Sequence, residues 1–281
     1  MIIFAPNSII WLLYTNIYTM KMSIITTAYN SARTLRDTMD SVLRQSYSDY
    51  EYIVVDGSSK DGTVDLIREY EPRFKGRMRW ISEPDRGIYD AMNKGIAIAT
   101  GEVVGLLNSD DFYTSDDVLE TIAREFASPD APDAIYGDVH YVDEKDITKV
   151  VRYYSSKKFT RKRMCMGYMP AHPSFYVRRE CYKRYGTFDT SYRVAADFEN
   201  ILRLIYINNI RTRYVAKDFV AMRMGGASSS GINSHLHIIA DHFAAFRKNN
   251  LTPKYFLYFL RYVKKLFEFS RKNRAKVETG K

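Results

Sequence analysis

The chain has 281 residues, of which 46% are hydrophobic and 27% are charged. This composition excludes a disordered or fibrous protein and is sufficient for a hydrophobic core in one or two domains. The net charge of +9 is unevenly distributed, because residues 254–281 contain nine basic and two acidic side chains. The nearly neutral remainder argues against a nucleic-acid-binding protein and favours a local contact between the C-terminal segment and an anionic surface.

Residues 1–21 form a hydrophobic leader in which the first charge is Lys21. The leader lacks the positive n-region and the small-residue cleavage site of a secretory signal, and its polar residues make it a poor membrane span. Two interpretations remain, a short hydrophobic anchor or sequence translated ahead of the true start. Met20 and Met22, directly before a predicted strand, favour the second.

From Met22 onward, strand-like runs alternate with segments of helical periodicity. In chain order, the pattern predicts a strand at 23–27, a helix at 35–45, a strand at 52–55, a helix at 63–70, a strand at 77–82, a helix at 88–99 and a strand at 103–107. A helix at 116–126, a strand at 135–136, a charged hairpin at 143–148, a strand at 174–177 and a helix at 197–207 follow. The alternation predicts an open α/β sheet flanked by helices.

Acidic residues follow the apolar strands. Asp56 ends one run, Asp85 follows another, and Asp110 and Asp111 come shortly after residues 103–107. Ligands of open α/β sheets bind at the carboxyl ends of the strands, although aspartate is also common in turns, which explains Asp56 equally well. The carboxylates of this adjacent pair repel each other unless a cation or hydrogen-bond donors offset their charge. The usual solution is a divalent ion such as Mg²⁺ or Mn²⁺, whose coordination is completed by diphosphate oxygens. The pattern therefore predicts a nucleotide-diphosphate ligand.

The first strand is followed by residues 28–33 (AYNSAR), which contain no glycine. A dinucleotide-binding site would need a GxGxxG turn here, and the chain has no P-loop motif. A sugar nucleotidyltransferase would also need a glycine-rich first loop. These three classes are therefore disfavoured.

Five motifs in a fixed order resemble family-2 glycosyltransferases: 23–30 (SIITTAYN), 54–63 (VVDGSSKDGT), 93–95 (NKG), 99–102 (ATGE) and 108–111 (NSDD). Residues 85–95 (DRGIYDAMNKG) and 171–175 (AHPSF) are similar to the branch that builds bacterial exopolysaccharides and surface glycans. The resemblance implies a GT-A domain at 22–225, with a single open mixed sheet, a nucleotide-binding half at 22–111 and an acceptor half at 112–225. Residues 226–281 would hold a flexible loop and C-terminal helices.

The resemblance also implies inverting transfer of a sugar from a nucleotide-diphosphate sugar, with a UDP-sugar favoured, to a glycan or polyprenyl-linked acceptor in cell-surface polysaccharide synthesis. A divalent metal, Mg²⁺ or Mn²⁺, would assist. The alternatives are a sugar-1-phosphate nucleotidyltransferase and a non-catalytic sugar-nucleotide-binding protein. By similarity, Asp111 is the metal ligand, Asn108 stands where many members have aspartate, and the donor is bound by Thr27, Ala28, Tyr29, Asp56, Asp85, Arg86 and Asp110.

The family carries its catalytic base at the position of Asp197, which opens the predicted helix 197–207. From residue chemistry alone, a helix cap is the favoured role of Asp197. The preceding residue is Ala196 where the family often has glutamate, and Glu199 is the second candidate for the base. His172 is implied to contact the sugar or the acceptor, whereas a lone histidine is more often structural.

Aromatic and basic residues alternate over 253–276, and apolar side chains fall on one helical face. A basic amphipathic tail of this kind suits an anionic bilayer, and the alternative is a helix packed on the catalytic domain. We therefore expect a cytoplasmic enzyme, peripheral on the inner face of the plasma membrane. Residues 225–231 are expected either to close over the diphosphate or to act as a plain linker.

Overall fold

A computed structural model describes residues 20–225, 231–256 and 258–259. The predicted leader up to residue 19, residues 226–230 of the predicted loop, and the tail beyond residue 259 lie outside the described residues.

The first half of the domain alternates parallel strands with helices, as the sequence predicts. Its elements are β1 (Met22–Ala28), α1 (Leu35–Leu43), β2 (Tyr50–Asp56), α2 (Thr63–Tyr70), β3 (Met78–Ser82), α3 (Ile88–Ile98) and β4 (Val103–Leu106). All residues of β1, β2 and β4 are buried, which explains their nearly continuous apolar character.

The second half is less regular. Its elements are β5 (Phe112–Tyr113), α4 (Val118–Phe126), β6 (Ala134–Val142), β7 (Val150–Tyr154), β8 (Phe175–Arg178), α5 (Arg179–Tyr185), α6 (Ala196–Ile201), β9 (Thr212–Arg223) and α7 (Gly231–Lys248). Three predictions needed correction here. The strand predicted at 135–136 extends over nine residues, β9 was not predicted, and the helix predicted at 197–207 is α-helical only to Ile201 and continues as a π-helix over Leu202–Ile207.

The strands form one mixed sheet in the order β3-β2-β1-β4-β8-β6-β9-β5, with β7 paired to β6. Strands β3, β2, β1 and β4 are mutually parallel, and β8 is antiparallel to both of its neighbours. The open mixed sheet flanked by helices confirms the predicted fold class.

Helices cover both faces of the sheet and form two hydrophobic layers. Helices α1, α2 and α4 pack on one face, and α3, α5, α6 and α7 pack on the other. Neighbouring residues of one strand enter different layers, as Ile24 and Ile25 do in β1. None of the described helices is long and apolar enough to cross a bilayer.

Candidate active site

The loops after β1 and β2 are cross-linked by hydrogen bonds at the carboxyl edge of the sheet. The Asn30 N–H donates to Ser59 Oγ at 2.8 Å, and Asn30 Oδ1 accepts from the Lys60 N–H at 2.9 Å. The Ser31 N–H donates to Thr63 Oγ1 at 2.8 Å. Asn30 adopts a left-handed conformation (φ 49°), which asparagine tolerates better than most residues. The two loops therefore form one rigid wall.

Asp56 lies at the base of this wall and is fully buried. One carboxylate oxygen accepts from the Ser59 N–H at 3.0 Å and from Ser82 Oγ at 2.6 Å, and the other accepts from the Ser59 hydroxyl. These donors fix the carboxylate in one orientation. Ser82 was missed by the sequence interpretation, although its register position opposite Asp56 at the end of β3 is the signal that could have found it.

Tyr29 and Asp85 meet above Gly57. A Cβ atom at Gly57 would lie 2.5 Å from Asp85 Oδ2 and 3.3 Å from the Tyr29 ring, so only glycine permits this close approach. The Tyr29 ring is 67% exposed, which leaves its face available for stacking on a planar ligand. Three of the predicted nucleotide-binding residues, Tyr29, Asp56 and Asp85, are thus gathered around Gly57.

The other predicted residues of this half lie beside that group. Thr27 and Ala28 are buried at the end of β1, and the Ala28 carbonyl accepts from the Gly57 N–H at 2.9 Å. Thr27 Oγ1 is buried and has no hydrogen-bond partner among the described residues. Arg86 is exposed and pairs with Asp90 of α3 at 3.1 Å.

The acidic turn, residues 108–111 after β4, is the second cluster at this edge. Asp111 is 2% exposed, and its carboxylate accepts from Asn108 Nδ2 at 3.1 Å and from the Arg223 backbone N–H at 3.3 Å. Burial and the neighbouring Asp110 charge raise the pKa of Asp111 well above its usual value. Burial also raises the pKa of Asp110, whose side chain is more accessible. The negative charge of this turn is therefore only partly compensated.

Contacts from three elements hold the acidic turn in place. Arg223, the last residue of β9, donates from Nε to the Asp110 carbonyl at 3.3 Å and from Nη2 to Asp37 of α1 at 2.6 Å. The hydroxyl oxygens of Ser31 and Ser109 lie 2.8 Å apart and join the turn to the loop after β1. The Arg223–Asp37 pair was not predicted, because its members are 186 positions apart in the sequence.

The acidic turn fits a divalent cation shared with a substrate. Among the described residues, no group of three or more His, Cys, Asp or Glu side chains could hold a metal alone. Mg²⁺ and Mn²⁺ need only one or two protein carboxylates when a diphosphate supplies the other oxygens. The metal role of Asp111 stays a prediction, and the greater accessibility of Asp110 makes it an equally suitable ligand.

Asp197, Tyr89 and His172 form the third cluster. Asp197 Oδ1 accepts from the Phe198 N–H at 2.8 Å and lies 3.5 Å from the Tyr89 hydroxyl, which also donates to the Val194 carbonyl. Burial raises the pKa of Asp197, and the charge of His172 opposes this effect. Burial lowers the pKa of His172, and the nearby Asp197 carboxylate opposes this effect. Tyr89 was not identified from the sequence.

The sequence left two alternatives for the α6 segment, a helix-cap role for Asp197 and Glu199 as the base. The N-cap position of α6 is Ala195, so Asp197 does not occupy the cap. Glu199 is fully buried, and its two carboxylate oxygens accept from Nε and Nη2 of Arg203, each at 3.0 Å. The buried ion pair with Arg203 therefore disfavours Glu199 as the base, and Asp197 stays the predicted candidate.

A cavity of about 310 Å³ opens next to Tyr89. Its walls are residues 86–90, around the start of α3, and residues 190–193, shortly before α6. The cavity therefore lies between the donor-side residue Arg86 and the segment that leads to Asp197.

Comparison with known proteins agrees with this arrangement. Residues 23–191 match the family described as Glycosyl transferase family 2. The chain belongs to this family. A PGL/p-HBAD biosynthesis glycosyltransferase of Mycobacterium bovis is 31% identical over 193 residues, covering 69% of this chain and 73% of the relative. An uncharacterized glycosyltransferase of Mycobacterium tuberculosis is 29% identical over 217 residues, covering 76% and 77%.

Solved structures confirm the GT-A fold of this family-2 glycosyltransferase. Staphylococcus aureus TarS, residues 1–349 in complex with UDP-GlcNAc, superposes with a TM-score of 0.65 at 19% identity, covering 84% of this chain and 69% of TarS. The mannosyltransferase PcManGT of Pyrobaculum calidifontis, in complex with GDP-Man and Mn²⁺, gives a TM-score of 0.60 at 18% identity, covering 85% and 70%. Family membership identifies the chain as a transferase enzyme. It therefore argues against the two alternatives, a sugar-1-phosphate nucleotidyltransferase and a non-catalytic binding protein.

Proposed function

We propose that this glycosyltransferase moves a sugar from a nucleotide-diphosphate sugar to an acceptor hydroxyl with inversion at the anomeric carbon, and that Asp197 is the base. The observation that carries the proposal is the environment of Asp197. Burial raises the proton affinity of its carboxyl group, which lies near the His172 imidazole and 3.5 Å from the Tyr89 hydroxyl. A base of moderately raised pKa is suited to removing a proton from a hydroxyl near neutral pH.

The cluster around Gly57 supports a nucleotide as the donor's leaving group. Tyr29 offers an exposed ring for the base, Asp56 is a fixed hydrogen-bond acceptor, and Asp85 lies between them and Arg86. TarS was solved with UDP-GlcNAc and PcManGT with GDP-Man, which supports a nucleotide sugar. We favour a UDP-sugar as the donor.

The reaction is a direct displacement. The acceptor oxygen attacks the anomeric carbon from the face opposite the diphosphate and forms the new glycosidic bond. The bond from the anomeric carbon to the diphosphate oxygen breaks, and its electron pair stays on the diphosphate. The hydroxyl proton passes to the Asp197 carboxylate. The Tyr89 hydroxyl lies 3.5 Å from this carboxylate, and the Phe198 N–H donates to it at 2.8 Å and helps to fix its orientation.

Asp110 and Asp111 would hold a divalent cation together with the diphosphate. When bound, the cation would neutralise the charge that develops on the leaving diphosphate. Arg223 keeps the two acids at the end of β4 through its contacts with both. The Mn²⁺ in the PcManGT complex supports a metal in this fold.

A panel of nucleotide sugars tests the reaction, with nucleoside diphosphate release as the readout. We expect release with one or a few UDP-sugars. Asp197→Asn should lower turnover by about 10²–10⁴-fold while UDP affinity stays within twofold. Loss of UDP affinity in Asp197→Asn would contradict the base assignment. Asp110→Asn and Asp111→Asn should each raise the Mn²⁺ concentration needed for UDP binding, and wild-type turnover in excess chelator would contradict the metal role.

We further propose that the acceptor is a glycan or polyprenyl-linked glycan, and that the enzyme is peripheral on the cytoplasmic face of the plasma membrane. The Tyr255, Phe256 and Phe259 rings are 55%, 78% and 48% exposed where the basic segment begins. Aromatic rings beside basic residues suit an anionic membrane interface.

Truncation tests this membrane contact. Tyr258 is fully buried and packs against Phe243, so the cut should follow residue 260 and not precede it. The full chain should sediment with phosphatidylglycerol vesicles and not with phosphatidylcholine vesicles, and the chain ending at residue 260 should stay in the supernatant. Equal sedimentation of both chains with phosphatidylglycerol vesicles would contradict the proposal.

A further inference from the structure

A polar cluster projects from the sheet at the same edge as the donor site. Strands β4 and β6 are both paired with Val177 of β8, through Val104 and Ala134 respectively, and they run in the same direction. Counted from this shared level, Asp138 of β6 is level with Asn108 at the start of the acidic turn, with β8 between their strands, and His140 lies two residues further out. The outer half of β6 therefore forms a wall at the same edge of the sheet as the acidic turn.

Three side chains on this wall face one another. His140 Nδ1 lies 2.5 Å from Asp218 Oδ2 of β9. Asp138 accepts from the Tyr214 hydroxyl at 2.9 Å and from Ser155 Oγ at 3.1 Å. Asp218 Oδ1 is buried and has no hydrogen-bond partner among the described residues. A buried carboxylate oxygen without a hydrogen-bond donor costs free energy, which a further donor would offset.

The backbone is shaped to bring Asp218 to this position. The pairing of β9 with β6 shifts on both sides of Asp138, so that β9 carries extra residues before and after Asp218. Gly137 allows the close approach, because a Cβ atom there would lie 2.6 Å from the Lys217 carbonyl oxygen. Bulges of this kind redirect side chains and are frequent next to active sites.

An exposed aromatic ring completes the cluster. Tyr153 of β7 is paired with His140 of β6, their ring centroids are 5.6 Å apart, and Tyr153 is 70% exposed. An aromatic face next to carboxylate and imidazole groups matches a pyranose ring, which has an apolar C–H face and a rim of hydroxyl donors.

The cluster is connected to the catalytic segment. The Ser156 N–H donates to Asp138 Oδ1 at 2.7 Å, and Ser156 Oγ accepts from the Ala171 N–H at 3.3 Å. Ala171 directly precedes His172, whose charge acts on Asp197. A sugar bound on this wall would therefore lie on the acceptor side of the cleft.

We propose that Tyr153, His140 and Asp218, supported by Asp138, form a subsite for a pyranose residue of the acceptor glycan. The proposal rests on the proposed function, since it assigns the acceptor side of the same cleft. Tyr153 packs on the ring, and the partly exposed Asp218 carboxylate accepts a hydrogen bond from one of its hydroxyl groups. A purely structural His140–Asp218 pair would not require an exposed Tyr153.

Direct binding tests the subsite without depending on turnover. Saturation-transfer NMR would be recorded on the full chain with saturating UDP and a panel of p-nitrophenyl pyranosides, comprising glucoside, galactoside, mannoside, rhamnoside and N-acetylglucosaminide. Tyr153→Ala should weaken binding of the pyranoside that the wild type binds by about tenfold. Asp218→Asn should weaken it by roughly fivefold. Arg152→Ala is the matched control and should bind normally, because Arg152 is paired with Tyr141 and lies over its ring on the opposite face of β7 from Tyr153.

UDP affinity and donor hydrolysis are measured on the same samples and should be unchanged in Tyr153→Ala. The subsite is refuted if the wild type binds no pyranoside of the panel, or if both Tyr153→Ala and Asp218→Asn bind it as the wild type does. Failure of the proposed function would be recognised separately, because the wild type would then neither bind UDP nor hydrolyse a nucleotide sugar.

Discussion

Replacing Glu199 with glutamine should destabilise the protein while leaving the chemical step intact. Glu199 is fully buried and forms a two-bond ion pair with Arg203. Breaking a buried pair costs about 3–5 kcal/mol, because the remaining charge is left uncompensated. Arg203 would keep its hydrogen bonds to the carbonyl oxygens of residues 185–187, and glutamine can still accept one bond. We therefore expect the free energy of unfolding to fall by about 3 kcal/mol, the lower end of this range.

In a protein of this size, that loss corresponds to a fall in Tm of roughly 6–12 °C. Thermal unfolding followed by circular dichroism measures it, and donor hydrolysis at 15 °C, where the variant remains folded, measures the chemical step. Glu180→Gln is the matched control, since Glu180 is exposed and pairs with Lys183 only at 3.6 Å on the surface. A Tm equal to that of the wild type, together with a hundredfold fall in turnover, would show that Glu199 is the base and that the argument for Asp197 fails.

Three further outcomes follow from the site. Because burial raises the pKa of Asp197 in the folded protein, the folded state binds this proton more tightly than the unfolded chain, and stability falls as the pH rises through the raised pKa. Asp197→Asn should therefore raise the Tm at neutral pH while it lowers turnover by about 10²–10⁴-fold. The wild-type kcat/KM should fall as the pH is lowered through the same pKa, and an unchanged or lower Tm of the variant would contradict this reasoning. Gly57→Ala should push the Asp85 carboxylate aside and raise the Kd for UDP roughly tenfold with little change in Tm. If calorimetry gave an unchanged Kd for UDP, Asp85 would not be part of the nucleotide site. Arg223→Gln should lose about 1 kcal/mol of stability from the pair with Asp37, which lowers the Tm by roughly 2–4 °C. It should also weaken UDP binding in the presence of Mn²⁺. An unchanged Tm together with unchanged UDP affinity would show that the acidic turn is held without this side chain.

Local sequence patterns predicted the first half of the fold well. Strands β1, β2 and β4 are buried on both faces, so their sequences are nearly continuously apolar, and helical periodicity identified α1 to α3. Strand β9 was missed, because Lys217 and Asp218 interrupt its apolar residues and its bulges break the alternation that identifies a strand.

For the site as well, local sequence predicted some features and missed others. Acids at strand ends are visible in the sequence because the ends of parallel strands converge, and the structure gathers Asp56 and Asp85 as expected. Other contacts around the cleft join distant parts of the chain. Arg223 reaches Asp37, and His140 meets Asp218 78 positions away, through strand pairings that no local pattern encodes.

The contacts along β9 limit where insertions and deletions in the sequence can be accommodated. Asp218 and Arg223 lie five residues apart on β9, and each contacts a different part of the cleft. Because side chains alternate along a strand, a single deletion between them would turn one of the two away from its partner. Glu144, in the turn at residues 143–149 that joins β6 to β7, pairs on the surface with Arg33 of the loop after β1. A change of length in that turn would therefore cost one exposed ion pair, whereas a change of length within β9 would displace a partly buried contact of the cleft.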